Sequence, residues 1–184
     1  MKINILSILS ISLLGSVLST AQASPSVVGQ LEIGRYLGTW YEIASVKPPF
    51  QQGCACVTAE YALNEDQSVQ VINSCRQGGS KGEVFSVKGV ALPTEDPAKF
   101  IVSFAGPVPV EANYWVVDLD EDYGWAVVSG PTYTPFWILS RTPSLDPVRF
   151  EDIRGRLGER GFDLSALVPT LQEGCWAAGQ QQAW

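Results

Sequence analysis

The 184-residue chain carries 12 Lys and Arg residues against 19 Asp and Glu residues, for a formal net charge of −7, and it contains no histidine. This balance lacks the basic footprint with which proteins bind the nucleic-acid backbone, so nucleic acid is not an expected partner. The absence of histidine removes the commonest general base, the Ser–His and Cys–His nucleophile pairs and the commonest metal ligand. We therefore expect no catalytic residue, no metal site and no cofactor.

The N-terminus has the pattern of a secretory signal peptide. Lys2 precedes an apolar run from Ile3 to Leu18, and Ala21-Gln22-Ala23 forms a small-residue cleavage site before Ser24. A single-pass membrane anchor is the alternative, but the run is short and rich in serine. No cysteine at the cleavage point could carry a lipid. We predict that residues 1–23 are removed and that the mature chain is soluble in a periplasmic, thylakoid-lumen-like or secreted compartment.

Residues 24–184 are predicted to form a single domain, long enough to bury a core. Short β-rich runs follow one another to about residue 141, separated by polar turns and with no helical period between them. Eight strands joined by hairpins predict an all-β fold, an antiparallel up-and-down barrel over about residues 38–141. The predicted strands cover residues 40–46, 54–63, 68–75, 83–91, 99–105, 113–119, 124–130 and 135–141.

Two segments depart from the strand pattern. Residues 47–53 are too irregular for a tight hairpin and predict a lid over one end of the barrel. After the barrel, Asp146 as a cap, Pro147 at a first helical position and apolar residues at helical spacing predict an α-helix over about residues 147–160, packed outside the sheet. A short strand within 164–168 and a loose C-terminal tail are predicted beyond the helix.

Three motifs resemble the sequence signatures of the lipocalin family. They are Gly38-Thr39-Trp40 at the first strand, Asp122-Tyr123 before the seventh, and Ile-Leu-Ser-Arg-Thr-Pro over residues 138–143 at the end of the eighth. Their order and separations extend the resemblance over about residues 31–175. The wording of residues 36–44 is similar to the branch that includes bacterial lipocalins and apolipoprotein D, and the cysteine pattern is similar to that of plant chloroplast-lumen lipocalins.

The resemblance implies a cavity inside the barrel that holds one small hydrophobic ligand. Tyr61 and Arg76 are expected to offer hydrogen bonds to a polar head. By alternation along the strands and by resemblance, the expected ligand-binding wall consists of Val57, Ala59, Tyr61, Phe85, Val87, Phe100, Val102, Phe104, Tyr114, Trp115, Val117 and Trp137.

The same fold would turn Trp137, Leu139 and Arg141 inward. Arg141 then lies on the Trp40 indole at the closed end and donates to nearby backbone carbonyls, a cation–π contact worth roughly 0.5–2 kcal/mol. Gly38 permits the tight turn before the strand. We therefore predict that Gly38, Trp40 and Arg141 form a structural floor and do not contact the ligand.

The four cysteines are expected to form disulfides in an exported chain. By alternation, Cys54 and Cys56 share the face opposite Tyr61, which predicts that both point outward if Tyr61 points inward. Four cysteines allow three pairings, among which the sequence does not choose. The resemblance to apolipoprotein D suggests Cys56–Cys175 and leaves Cys54–Cys75, with Cys54–Cys175 and Cys56–Cys75 as the alternative.

The first functional hypothesis is binding and transport of a fatty acid, lysophospholipid, oxidised lipid, carotenoid or retinoid, with a role in membrane or stress lipid protection. We expect a monomer or weak dimer that makes transient contact with a membrane. The second hypothesis is a lipid- or pigment-modifying enzyme, with the inward-facing Glu42 as a candidate acid or base. The G-x-S-x-G spelling at residues 78–82 is interpreted as a turn, since no histidine can activate Ser80. A third is a protein-interaction role through Trp176 and Trp184.

Overall fold

A computed structural model describes residues 23–175 of the chain. The predicted signal peptide apart from its last residue, and the tail with Trp176 and Trp184, lie outside this range. Within it the structure confirms the predicted fold class, because eight antiparallel strands close into a barrel with one α-helix outside.

The elements follow the predicted order. The helices are α1 (Ile33–Tyr36) and α2 (Pro147–Glu159), and a 3-10 turn covers Pro49–Gln51. The strands are β1 (Gly38–Val46), β2 (Cys54–Leu63), β3 (Val69–Gln77), β4 (Glu83–Pro93), β5 (Lys99–Ser103), β6 (Tyr114–Leu119), β7 (Trp125–Ser129), β8 (Phe136–Ser140) and β9 (Val168–Pro169).

Strand β1 closes the barrel. It pairs antiparallel with β2 on one side and with β8 on the other, while β2 to β8 follow one another as neighbours in chain order. The short β9 pairs with Ala44 and Ser45 of β1. It overlaps the short strand expected at 164–168 only at Val168. The residues that connect β3 and β4 include the G-x-S-x-G spelling and form a turn.

A bulge in β1 divides its side chains between two cores. The pairing with β8 shifts between Glu42 and Ala44, so these residues face opposite sides although they are two positions apart. Glu42 lies towards the barrel interior. Ala44 packs outside with Ile153 and Leu157 of α2, both fully buried. One strand thus supports both the interior and the seat of the helix.

Helix α2 begins where the sequence predicts. The Asp146 side chain accepts from the backbone N–H of Arg149 at 3.0 Å, and Pro147 occupies the first helical position. The apolar stripe packs on the outer face of β6–β8, against residues that include Val127 and Ile138.

The closed end of the barrel is built around Trp40, which is fully buried. The guanidinium carbon of Arg141 lies 3.8 Å from the centre of the Trp40 ring, and Trp40 Nε1 donates to the carbonyl of Tyr36 at 2.8 Å. Arg141 also donates to the carbonyls of Thr39 at 3.0 Å and Arg35 at 2.6 Å. Gly38 has a φ of +92°, a conformation that glycine adopts without strain.

We expect Trp40→Ala to lower the free energy of unfolding by about 3–5 kcal/mol, because it opens a cavity at the closed end and removes the surface on which Arg141 lies. Urea denaturation followed by far-ultraviolet circular dichroism measures the change.

Trp115→Ala is the matched control. Trp115 is only partly buried on the outer face of the barrel, so its truncation leaves no enclosed void and is expected to cost less. Equal losses in the two variants would contradict the structural role assigned to Trp40.

Candidate functional site

The barrel encloses a cavity of about 680 Å³ between the Trp40 floor and the loops at the other end. Its wall is mostly apolar and aromatic. Ten of the twelve predicted wall residues line it, namely Val57, Ala59, Tyr61, Phe85, Val87, Phe100, Val102, Phe104, Tyr114 and Trp137.

Two predicted wall residues, Trp115 and Val117, lie outside the cavity, and their prediction is wrong. Both pack in the outer core beneath α2, and Trp115 carries the Lys99 ammonium 4.2 Å from its ring centre. Because Tyr114 faces inward, the next residue along the strand must face outward. The expectation for Arg76 is also wrong, since its guanidinium donates to the Gly82 carbonyl at 3.1 Å and does not line the cavity.

Several lining residues were missed by the sequence reasoning. Strand β3 supplies four at alternate positions, Val69, Val71, Asn73 and Cys75, a period-two signal that was available in the sequence. The Asn73 Oδ1 atom is buried and has no hydrogen-bond partner among the described residues. The missed residues on other elements include Ala91, Asn113, Val128 and Gln51, while Leu139, which was predicted to face inward, also lines the cavity.

Three tyrosines meet in the inner part of the cavity. The Tyr114 hydroxyl lies 2.8 Å from the hydroxyl of Tyr36 and 3.0 Å from that of Tyr61. The Tyr36 ring stacks between Trp40 and Tyr61, with centroid distances of 4.9 and 5.7 Å. These three side chains, which we call the tyrosine triad, come from α1, β2 and β6.

Burial raises the pKa of each triad tyrosine. The pKa of Tyr61 rises to about 12, and those of Tyr36 and Tyr114 rise well above the ordinary value of 10.0, in each case mainly because the ring is desolvated. All three hydroxyls therefore remain neutral and protonated at physiological pH.

Glu42 connects three segments near the cavity. Its side chain is buried and accepts hydrogen bonds from Ser45 Oγ at 2.7 Å, from Gln51 Nε2 and from Thr170 Oγ1. The other end of the Gln51 amide accepts from Trp137 Nε1 at 3.0 Å. The segment predicted to be a lid is therefore attached to the barrel wall through Gln51.

Both disulfides in the structure follow the pairing implied by the family resemblance. Cys54–Cys75 joins β2 to β3, and Cys56–Cys175 joins β2 to the C-terminal segment. The prediction that Cys54 points outward is wrong, because the Cys54–Cys75 bridge lines the cavity. A bulge in β2 between Ala55 and Thr58, with Cys56 at a φ of +56°, breaks the alternation on which that prediction depended.

The open end of the cavity exposes apolar side chains. Phe50, in the lid segment, is 81% exposed, and Phe85 at the start of β4 is 59% exposed. The loop between β5 and β6 contains Phe104, Val108 and Val110, of which Val110 is 97% exposed. We call Phe50, Phe85, Phe104, Val108 and Val110 the mouth cluster.

The described part of the chain has neither a metal-binding group of side chains nor a membrane-spanning helix. Over residues 23–175, no group of three or more His, Cys, Asp or Glu side chains is placed to hold a metal ion. No helix in that range is both long and apolar enough to cross a membrane.

Comparison with known proteins gives relatives across most of the chain. The chain is 35% identical over 159 residues to temperature-induced lipocalin-1 of Arabidopsis thaliana, covering 83% of this chain and 86% of the relative. It is 37% identical over 151 residues to the outer membrane lipoprotein Blc of Escherichia coli strain K12, with 81% and 84% covered. Apolipoprotein D of Mus musculus is 32% identical over 160 residues, with 83% and 82% covered.

A solved structure and a family model agree with these relatives. The major allergen Per a 4 from cockroaches has a similar fold, with a TM-score of 0.63 at 21% identity over 82% of this chain and 93% of the allergen. The family model described as a lipocalin-like domain matches residues 31–172, which span α1, the whole barrel, α2 and β9. The chain is therefore a member of the lipocalin family.

Proposed function

We propose that this lipocalin binds one small hydrophobic molecule in its barrel and carries it outside the cytoplasm. The observation that carries the proposal is the cavity of about 680 Å³ with a mainly apolar and aromatic wall. Ligand sites in proteins commonly occupy roughly 300–1,000 Å³ and have such walls with a few polar groups. Fatty acids, lysophospholipids, oxidised lipids, carotenoids and retinoids are the ligand classes considered, in membrane or stress lipid protection.

Binding in this cavity needs no covalent chemistry. An apolar ligand gains free energy by leaving water for the wall formed by side chains such as Phe100, Val102 and Trp137. Each square ångström of apolar surface removed from water contributes about 25 cal/mol before the costs of association are subtracted. Reversible uptake and release follow from contacts of this kind.

An exported location is supported by the cysteines. All four are joined in two disulfides, and such bonds persist in oxidising compartments. The signal-peptide pattern before Ser24 points to the same side of the membrane.

We infer binding and not catalysis as the main activity. Glu42, the candidate acid or base, has both carboxylate oxygens engaged by protein donors, with Oε1 accepting from Ser45 and Thr170 and Oε2 from Gln51. Its contacts support a structural role that holds the lid segment and the C-terminal segment together. An enzyme acting on a lipid or pigment is the alternative.

We also propose that the mouth cluster touches membranes transiently, so that the ligand moves between bilayer and cavity without crossing water. Phe50, Phe85 and Phe104 both line the cavity and are exposed at its open end. The net charge of −7 opposes electrostatic attraction to anionic lipids. The expected partner is therefore an electrically neutral lipid surface.

We expect Ala59→Trp to weaken binding of the apolar fluorescent probe N-phenyl-naphthylamine by at least tenfold, on the order of 1.4 kcal/mol. Ala59 faces the cavity, so the indole would occupy the space that the probe needs. Fluorescence titration measures the dissociation constant.

Ala62→Trp is the matched control, since Ala62 lies on the same strand but is exposed. It is expected to bind the probe like the wild type. Saturable binding that is equally strong in wild type and Ala59→Trp would place the probe outside the barrel and contradict the proposal.

For the membrane proposal we expect the double variant Phe50→Ser, Val110→Ser to bind phosphatidylcholine vesicles several-fold less than the wild type. Each substitution removes an exposed apolar side chain from the mouth cluster. Flotation of the protein with the vesicles measures the bound fraction.

Val148→Ser is the control, because Val148 is 70% exposed on α2, away from the mouth. It should leave flotation unchanged. Flotation that is insensitive to the mouth variants, or that appears only with anionic vesicles, would contradict this part of the proposal.

A further inference from the structure

The tyrosine triad has one hydroxyl proton more than its internal hydrogen bonds use. Three hydroxyls carry three protons, and the two contacts of Tyr114 with Tyr36 and Tyr61 consume two of them. If Tyr114 accepts from both neighbours, its own O–H is left over. If it donates to one neighbour, that neighbour's O–H is left over.

The remaining donor lies deep in the cavity. Tyr61 of β2 lies opposite Gly38 of β1 at the closed end, and the Tyr36 ring packs against the Trp40 ring. All three tyrosines line the cavity, with the apolar Val69, Val71 and Phe100 in the same wall. A hydrogen bond in such surroundings gains more than it would in water, and an unused donor is correspondingly costly.

The charges on the wall limit what can accept this proton. Among the described residues that line the cavity there is no lysine or arginine, and the one charged side chain is the carboxylate of Glu42. Arg141 lies near the triad, and its charge lowers the pKa of Tyr36 and Tyr61 against the larger effect of burial. Its donors, however, are directed to the carbonyls of Thr39, Arg35 and Tyr123, and it does not line the cavity. An anionic head group buried here would have no counter-charge in the wall.

We propose that the tyrosine triad is a recognition site for the oxygen of a neutral ketone, aldehyde or alcohol, which enters the cavity oxygen-first. The apolar body of the ligand then extends from the triad towards Trp137 and the mouth cluster. This inference rests on the proposed binding function and narrows its ligand class from lipids in general to uncharged, oxygen-bearing hydrophobic molecules.

The protonation state of the triad supports this selection. Because burial raises the pKa of all three tyrosines, the triad stays a neutral donor across the pH range of any biological compartment. It can therefore meet an acceptor oxygen at all such pH values without repelling it.

The test uses the full mature chain with N-phenyl-naphthylamine bound, and three competitors of equal carbon number: methyl nonyl ketone, undecane and undecanoate at neutral pH. After allowance for the different free energies with which ketone and undecane leave water for an alkane, we expect the ketone to displace the probe about tenfold better than undecane, as one hydrogen bond to a buried donor allows, and better than undecanoate. The same ketone, labelled with carbon-13 at its carbonyl and bound to the protein, should show in the infrared spectrum the lowered stretching frequency of a hydrogen-bonded carbonyl.

The informative variant replaces all three tyrosines, Tyr36→Phe, Tyr61→Phe and Tyr114→Phe together, because any single replacement leaves at least one O–H unused. Removing mutually bonded groups at constant shape is close to neutral for folding. Relative to its affinity for undecane, the variant should lose about tenfold in affinity for the ketone, and it should return the carbonyl frequency to its value in an apolar solvent. Tyr133→Phe, which removes a hydroxyl outside the cavity, is the control and should change none of these readouts.

The outcomes separate the two proposals. If the probe does not bind the wild type, the binding function fails, and the triad inference fails with it. If the probe binds but the ketone competes no better than undecane after that allowance, undecanoate competes best, or the bound carbonyl is not hydrogen-bonded, the triad inference is overturned while the binding function stands. Should the triple variant not fold, the wild-type competition series and carbonyl spectrum decide by themselves.

Discussion

The structure depends on the double pairing of β1. This strand bonds to β8 on one side and β2 on the other, and without it the sheet would have two open edges. Its inner face supplies Trp40, over which Arg141 closes one end. Its bulge then turns Glu42 towards the interior and Ala44 towards α2. The floor, the attachment of the lid segment and the seat of the helix therefore all depend on the conformation of nine residues.

The two ends of the cavity differ chemically. The closed end presents neutral hydroxyls backed by Trp40, and the open end presents exposed aromatic rings. Between them the wall is mostly apolar, with Glu42 held by protein donors and Asn73 carrying a buried oxygen without a partner among the described residues. An amphiphile would encounter directional hydrogen bonding at one end and unspecific apolar contact along its length. Affinity would come mainly from the wall, and orientation from the polar end.

Much of the wall was predictable, since alternation along a strand is a local property. Val57, Ala59 and Tyr61 illustrate this, because each lies two residues from the next and all three line the cavity. The prediction is wrong where alternation was not applied or was interrupted. Tyr114 and Trp115 are neighbours and cannot share a face. Cys54 is turned to the cavity by a bulge at Cys56 that no turn residue in the sequence predicts.

The sequence by itself determined the barrel fold and its external helix. The Gly38-Thr39-Trp40 motif, the turn residues between strands and the helical spacing after Asp146 act over a few residues, and they specify strands, helix and barrel. Only the tertiary structure decided which side chains contact one another inside the barrel. Tyr114 reaches Tyr36 and Tyr61 across 78 and 53 residues of chain, and Glu42 reaches Thr170 across 128. Such meetings depend on the strand register and on closure of the barrel, because these set which side chains face each other across the interior.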